Sequence, residues 1–168
     1  MKRISSFLIS VLCAATAFAQ STNPLNYSGK MFVSSYEVLT TPRYVSYEDH
    51  AILNSELTMP VIEITTLISD FEKGTLTSGE TEYKIKVTGT KKYTLTDESW
   101  AVVIYMEQQD GPNKFEYVWR EYGNAYLNTI LKQEDGSIKI MRMNLSHKPH
   151  IASPDEAILQ MLNSYGGY

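Results

Sequence analysis

Hydrophobic and polar residues alternate with a period of two along much of this chain, which is the pattern of β-strands with one buried side. The clearest case is TEYKIKVTG at residues 81–89, where Tyr83, Ile85 and Val87 share one side and charged or polar residues occupy the other. We therefore predict a strand here with one buried and one solvated face.

Two further segments indicate strands. KMFVSSYEVL at residues 30–39 places Phe32, Tyr36 and Val38 in one phase of the alternation. VIEITTLI at residues 61–68 is rich in β-branched residues, which are favoured in strands. Both segments are predicted to pair within a sheet.

Turn-forming residues recur in the second half of the chain at intervals of about 8 to 13 residues, the spacing of an antiparallel meander. These turn signals include Ser78-Gly79, Asp110-Gly111, Gly123-Asn124 and Asp135-Gly136. The intervals are too short for the helical crossovers that parallel strands require. The fold class is therefore all-β, with about eight strands in a barrel or strongly curved sheet, because closure removes exposed sheet edges.

One C-terminal helix interrupts this pattern. At residues 153–167, Ser153 suits an N-cap and Pro154 the first helical position. The apolar stripe that should dock on the sheet consists of Ile158, Leu159 and Leu162. Residues 46–57 fit a short helix and an irregular loop equally well.

The first 19 residues have the three parts of a secretory signal peptide. Lys2 and Arg3 give a positive start, an apolar stretch too short to span a bilayer follows, and residues 17–19 form an A-x-A cleavage site. We predict that residues 1–19 are removed and that the protein is secreted or periplasmic. Residues 20–29 are expected to form a flexible lead, and residues 30–168 a single β-rich domain.

The chain contains one cysteine, Cys13, within the predicted leader. A lipid anchor on Cys13 is the alternative to simple cleavage, but lipoprotein signals place a small residue before the cysteine and Leu12 stands there. Without the leader the mature chain has no disulfide and no thiol chemistry, so its stability must come from a packed core.

The charge balance bears on partners. The net charge is −4 and no basic residues cluster into a patch, which disfavours nucleic acid and anionic membrane surfaces. No run of 18 apolar residues follows the leader, so no membrane span is predicted.

The densest apolar and aromatic stretch, WAVVIYMEQQDGPNKFEYVWREYG at residues 100–123, is predicted to be a β-hairpin. We centre its turn on Gly111 and Pro112. The opposed pairs are then Met106 with Tyr117, Ile104 with Trp119, and Gln108 with Phe115. One face of the hairpin is apolar at its centre and the other is mixed.

The apolar face is either ordinary core or part of a pocket wall, since an eight-stranded barrel can be filled by side chains or hold one small ligand. The candidate ligand-binding residues are Tyr36, Trp100, Ile104, Met106, Tyr117, Trp119 and Tyr126. The first hypothesis is an exported, non-enzymatic module that binds a small apolar or aromatic ligand in the barrel interior. The alternative is an envelope structural or protein-interaction domain with a filled core.

Two groups of residues are candidates for chemistry. The predicted register sets Glu107 opposite Glu116, and a close carboxylate pair can perform acid–base work or hold a cation. His50, His147 and His150 could together bind zinc, although all three lie in segments that read as loops. They support only a third, weaker hypothesis of a carboxylate- or metal-dependent enzyme.

Recognisable catalytic motifs are absent from the sequence. It contains no G-x-S-x-G elbow, no phosphate-binding loop and no dinucleotide fingerprint. We therefore predict a protein that is not an enzyme, with no catalytic residues, no bound metal and no cofactor.

The order of leader, β-meander and terminal helix resembles that of the lipocalins and related calycin barrels over about residues 29–163. The resemblance is one of form. At the first strand, Gly29-Lys30-Met31 has methionine where lipocalins carry tryptophan. The resemblance implies a barrel but no particular ligand.

Overall fold

A computed structural model describes residues 22–41, 57–94 and 99–165. The predicted signal peptide and most of the ambiguous segment at residues 46–57 lie outside these ranges. The strands are β1 (Gly29–Thr41), β2 (Leu57–Pro60), β3 (Thr66–Asp70), β4 (Thr75–Ser78), β5 (Thr81–Thr94), β6 (Trp100–Gln108), β7 (Lys114–Arg120), β8 (Ala125–Lys132) and β9 (Ile138–Ser146). Helix α1 spans Pro154–Tyr165, and short 3-10 turns occupy Pro24–Tyr27 and Glu121–Gly123.

The strands form one antiparallel sheet that closes on itself, which confirms the predicted fold class. Strands β3 to β9 pair in chain order, β1 pairs with β3, and hydrogen bonds between β1 and β9 close an eight-stranded barrel. Strand β2 is an extra strand that pairs with the second half of β1. In the described residues, no helix is long and apolar enough to cross a membrane.

The strand predicted at residues 81–89 is confirmed within β5. Ile85 is buried, Tyr83 and Val87 are partly buried, and the lysines between them are exposed. This is the expected consequence of side chains alternating across a pleated sheet.

Strand β1 departs from its predicted phase because its register with β9 shifts between Val33 and Ser35. Such a bulge moves the upstream side chains to the other face. Met31 and Val33 are therefore the buried residues of the first half, and Phe32 does not share a face with Tyr36 as the alternation predicted. Tyr36, downstream of the shift, packs against the core as expected.

The strand predicted at residues 61–68 is displaced toward the C-terminus. Strands β2 and β3 run along the same edge of β1, and the chain is irregular between Pro60 and Thr66. Val61 is buried and its carbonyl accepts a hydrogen bond from the amide of Ala152, at 3.1 Å. This tertiary contact overrides the β-branched propensity of the segment.

The hairpin forms, but its register differs by two residues from the predicted one. The observed pairs are Val102 with Trp119, Ile104 with Tyr117, and Met106 with Phe115. Glu107 lies opposite Lys114 rather than Glu116, and their side chains form an ion pair at 3.3 Å. Opposite charges across a strand pair are favourable and like charges are not, which favours the observed register. A shift of two preserves the predicted faces.

The interior of the barrel is filled by one cluster of buried side chains drawn from all eight barrel strands. We call it the interior cluster, and its strand residues are Met31, Val33, Leu67, Leu76, Ile85, Val102, Ile104, Met106, Phe115, Tyr117, Ala125, Leu127 and Leu145. The residues that alternate with these face the other side of the sheet, where Val103, Val118 and Tyr126 belong to a second cluster.

Helix α1 begins as predicted. The Ser153 hydroxyl accepts from the Glu156 amide at 3.3 Å, and the Glu156 carboxylate accepts from the Ser153 amide at 2.9 Å, which is a capping box. These bonds lower the pKa of Glu156, the backbone bond contributing most. The predicted docking face is wrong, however. Ala157 is buried on the side toward β2, while Ile158 is 57% exposed, and Leu159 and Leu162 are exposed as well.

Candidate functional site

Three of the sequence-predicted ligand residues are packed core. Ile104 and Met106 on β6 and Tyr117 on β7 have 0–1% of their surface exposed. All three belong to the interior cluster. The barrel is therefore filled at this level, and burial raises the pKa of Tyr117 well above its usual range.

Trp119 lies at one end of the barrel, in a small aromatic cluster. Its ring centroid is 5.6 Å from that of Tyr27 and 5.6 Å from that of His147. With Tyr117 these residues line a cavity of 210 Å³, and burial raises the pKa of Tyr27. The cavity is smaller than the roughly 300–1,000 Å³ of ordinary ligand pockets. Tyr27 also shows that residues 22–28, expected as a loose lead, include a 3-10 turn packed on the barrel.

The other predicted residues lie elsewhere in the barrel. Trp100 and Tyr36 are partly buried against the interior cluster, and the Lys92 ammonium lies 5.4 Å from the Trp100 ring centroid. Tyr126 belongs to the second cluster on the other face, where the Arg142 guanidinium lies 4.4 Å from its ring centroid. The structure thus brings Tyr117 and Trp119 together but separates Tyr126 from them.

A larger cavity of 440 Å³ lies on the wall formed by β5 to β9, beside the β6–β7 turn. We call it the wall pocket. Its apolar lining residues are Tyr105, Met106, Pro112, Phe115, Ile130 and Ile138. Its polar lining residues are Thr88, Glu107, Lys114, Glu116 and Lys132. Both the volume and the mainly apolar lining are typical of small-molecule sites.

Strand pairing places these side chains together. The cross-strand pairs that contribute to the wall pocket are Tyr105 with Glu116, Lys114 with Ile130, and Lys132 with Ile138. All alternate with interior residues such as Ile104 and Tyr117, so they occupy the opposite face of the sheet. Met106 and Phe115 belong to the interior cluster and also line the wall pocket.

A buried polar row borders the wall pocket. Glu116, which is 1% exposed, accepts a hydrogen bond from Asn128 at 3.2 Å. The Asn128 carbonyl oxygen accepts from the Arg142 Nε atom at 3.0 Å, and the Arg142 guanidinium reaches Glu37 at 3.5 Å. Because these four residues stand directly opposite one another on β7, β8, β9 and β1, they form a continuous row across the sheet.

The other polar groups of the wall pocket lie toward its rim. Lys114 forms the 3.3 Å ion pair with Glu107, and both side chains are more than half exposed. Lys132 is exposed and forms no ion pair within the described part of the chain. The hydroxyl of Tyr105 lies 2.6 Å from that of Tyr93, which holds the Tyr105 ring in place.

The constellations weighed for catalysis are not assembled. Glu107 and Glu116 both line the wall pocket, but they are not cross-strand partners as predicted. Among residues 22–41, 57–94 and 99–165, no three His, Cys, Asp or Glu side chains are grouped to hold a metal ion. His147 lines the small aromatic cavity instead, and His50 lies outside the described residues.

Sequence reasoning missed the wall pocket because it followed the apolar face of the hairpin. The pocket lies mostly on the mixed face, where Tyr105 and Ile130 stand among charged residues. The one signal in the sequence was the mixture of apolar and charged residues on this face. It was not sufficient, because tyrosine with charged neighbours occurs both at binding sites and on ordinary surfaces.

Comparison with protein-family models, with curated proteins and with solved structures finds no match to this chain. The fold alone, an eight-stranded barrel with a C-terminal helix, is shown.

Proposed function

We propose that this protein is a non-enzymatic binding module for a small, largely apolar or aromatic ligand, and that the wall pocket is its site. The observation that carries the proposal is a 440 Å³ cavity walled by Tyr105, Ile130 and Ile138, with charged groups at its margins. Apolar walls supply affinity by removing ligand surface from water, and a few polar groups fix orientation.

This proposal moves the ligand from the barrel interior, where the sequence suggested it, to the wall of the barrel. The interior is closed to a ligand at the level of Ile104 and Tyr117, which retain essentially no accessible surface. The wall pocket still uses the hairpin of β6 and β7, through Tyr105 and Phe115.

The test uses the neutral fluorescent probe N-phenyl-1-naphthylamine, whose emission rises in apolar sites. Thr88 lies on the exposed rim of the wall pocket, so Thr88→Trp fills the pocket without disturbing the core. We expect saturable binding by the wild-type protein and at least a tenfold loss of affinity in Thr88→Trp.

Thr81→Trp is the matched control, because Thr81 is an exposed threonine of the same strand outside the pocket. It should bind the probe as the wild type does. Absence of probe binding, or equal binding by all three proteins, would overturn the proposal.

The proposal includes export to the periplasm or the medium, supported by the leader pattern of residues 1–19. Expressed with its leader in a bacterial host, the protein should be recovered outside the cytoplasm. Its measured mass should be that of a chain whose first residue is Gln20. A lipid-modified form retaining Cys13 would instead support the anchored alternative.

The second candidate is an envelope structural or protein-interaction domain. The filled interior around Ile104 and Tyr117 favours it over an interior-binding barrel. It predicts that N-phenyl-1-naphthylamine shows no saturable binding to the folded protein.

A further inference from the structure

The polar groups of the wall pocket are distributed unevenly between its two ends. At the inner end Glu116 is buried and accepts a hydrogen bond from Asn128. At the outer end Lys132 is exposed and stands opposite Ile138. Asn128 and Lys132 lie four residues apart on β8, which corresponds to about 13 Å along a strand. A ligand along this axis therefore meets a carboxyl group at one end and an ammonium group at the other.

The two lysines that line the wall pocket are not equivalent. Lys114 is already paired with Glu107 at 3.3 Å. Lys132 has no acidic partner in the described part of the chain. An ammonium group carries three hydrogen-bond donors, so Lys132 can engage an incoming anion without breaking an existing pair.

Between these ends the lining on β8 and β9 is apolar, and Lys114, the cation opposite Ile130, is paired with Glu107. Ile130 lies on β8 between Asn128 and Lys132, with its side chain on the same face, and Ile138 and Tyr105 complete the wall. The lining thus has a hydrophobic middle with a cation at the open side. This is the complement of a molecule that has an apolar body and one anionic group.

We infer that the ligand of the wall pocket is an apolar acid, with its hydrocarbon or aromatic body on Tyr105, Ile130 and Ile138 and its anionic group at Lys132. The inference rests on the proposed function and names the chemical class that the pocket takes. Glu116 gives the ligand a direction, because a carboxyl group at the inner end offers no favourable contact to an anion.

The experiment compares two probes that share one aromatic body. 1-Anilinonaphthalene-8-sulfonate carries an anionic group, and N-phenyl-1-naphthylamine has the same rings without it. We expect the wild-type protein to bind the sulfonate more tightly, and Lys132→Gln to lose about tenfold in affinity for the sulfonate only. Lys132→Arg should retain the preference, and added salt should weaken it, because charge interactions at an exposed site are screened.

Lys139→Gln is the matched control. Lys139 follows Ile138 on β9, so it points to the other face of the sheet while lying close to the pocket mouth. It should bind both probes as the wild type does. Equal loss in Lys139→Gln and Lys132→Gln would show a general charge effect and overturn the inference.

The two proposals fail in different ways. If both probes bind equally well and Lys132→Gln changes neither, the wall pocket binds apolar molecules without selecting acids, and only the inference is lost. If neither probe binds, or if Thr88→Trp leaves both unchanged, the proposed function itself is wrong. If the sulfonate is preferred as expected, calorimetry with a medium-chain fatty acid and with an aromatic carboxylic acid shows which of these two kinds of apolar acid binds more tightly.

Discussion

Arg142 is the centre of the polar row that crosses the sheet beside the wall pocket. Its side chain is 12% exposed, contacts Asn128 and Glu37 through hydrogen bonds, and lies over the ring of Tyr126. A buried charge is tolerated only when it is paired and hydrogen-bonded. The row therefore depends on Arg142 to compensate the acidic residues on either side.

Replacing Arg142 by Met is expected to destabilise the protein by roughly 3 kcal/mol, because it removes one partner of a largely buried ion pair and leaves the other uncompensated. Methionine keeps an unbranched apolar stem over Tyr126, so the loss reports mainly the charge. The free energy of unfolding in urea measures the effect.

The exposed Lys114–Glu107 pair provides the comparison. Lys114→Gln should cost less than about 1 kcal/mol, since exposed ion pairs contribute little. An Arg142→Met protein as stable as Lys114→Gln would contradict the importance given to the row.

At the residue scale, the sequence predicts which face of the sheet a side chain lies on better than it predicts the cross-strand partner of that side chain. The inward direction of Ile104 and Tyr117 follows from the period of two and survives a register shift of two. The predicted partner of Glu107 was wrong because it depends on where the turn is centred. Hydrogen bonding of the Gln108 amide to the Asn113 carbonyl defines that centre, and the sequence DGP permits more than one choice.

At the scale of elements, the regular strands and the helix start could be predicted, and the irregular joins could not. The cap of α1 is encoded locally by Ser153 and Glu156. The bulge in β1 after Val33 lies in its pairing with β9, and the break at residues 61–65 lies along the opposite edge of β1, so both depend on tertiary pairing and neither has a local signal. The docking side of α1 also depends on tertiary packing, because the helix packs beside β2 and Ala157, which is outside the predicted stripe, is buried.

Gly74 lies in the turn between β3 and β4, at a position where this turn contacts β5 closely. Its φ is +70°, and a Cβ added there would lie 2.8 Å from the carbonyl oxygen of Ile85. The backbone of Ile85 is held next to Gly74, because the Ile85 amide donates a hydrogen bond to the Gly74 carbonyl at 2.8 Å. The turn between β3 and β4 is thereby held against β5.

Gly74→Ala should destabilise the protein by at least about 2 kcal/mol, combining the cost of a left-handed backbone with a contact that must be relieved. Gly79→Ala is the control, because Gly79 has φ +58° and nothing within 4 Å of an added Cβ. It should cost only about 1 kcal/mol. Chemical denaturation measures the free energy of unfolding of both variants. Equal losses in Gly74→Ala and Gly79→Ala would contradict the prediction, because they would show that the contact with Ile85 costs nothing.

At the scale of the whole molecule, turn spacing predicted an antiparallel barrel or a strongly curved sheet, and the hydrogen bonds between β1 and β9 show that the sheet is closed. The wall pocket could not be predicted, because it needs the curvature that brings β5 and β9 around one cavity. Residues such as Thr88 and Ile138 are 50 positions apart along the chain, and no local pattern links them.

Tyr117, in the filled interior, makes the stability of the barrel depend on pH in the alkaline range. Burial raises its pKa well above the ordinary value of 10.0, so the folded barrel keeps it neutral where the unfolded chain ionises. Its contribution to stability is complete below pH 10 and is lost as the pH rises above that value, at about 1.4 kcal/mol per pH unit.

Tyr117→Phe should therefore lose stability less steeply than the wild type between pH 10 and pH 11.5, whatever its stability at neutral pH. Denaturant titrations at each pH give the slopes, and parallel curves for the wild type and Tyr117→Phe would contradict the assignment.

The pairing of β1 with β9 also governs when the protein can fold. The Ser34 hydroxyl donates to the Asn144 carbonyl, a residue 110 positions later, so the seam joins the first strand of the sheet to the last. Until β9 has been synthesised, β1 has no strand along that edge, and distant pairings of this kind make folding slow. The barrel can therefore close only after its last strand has left the ribosome.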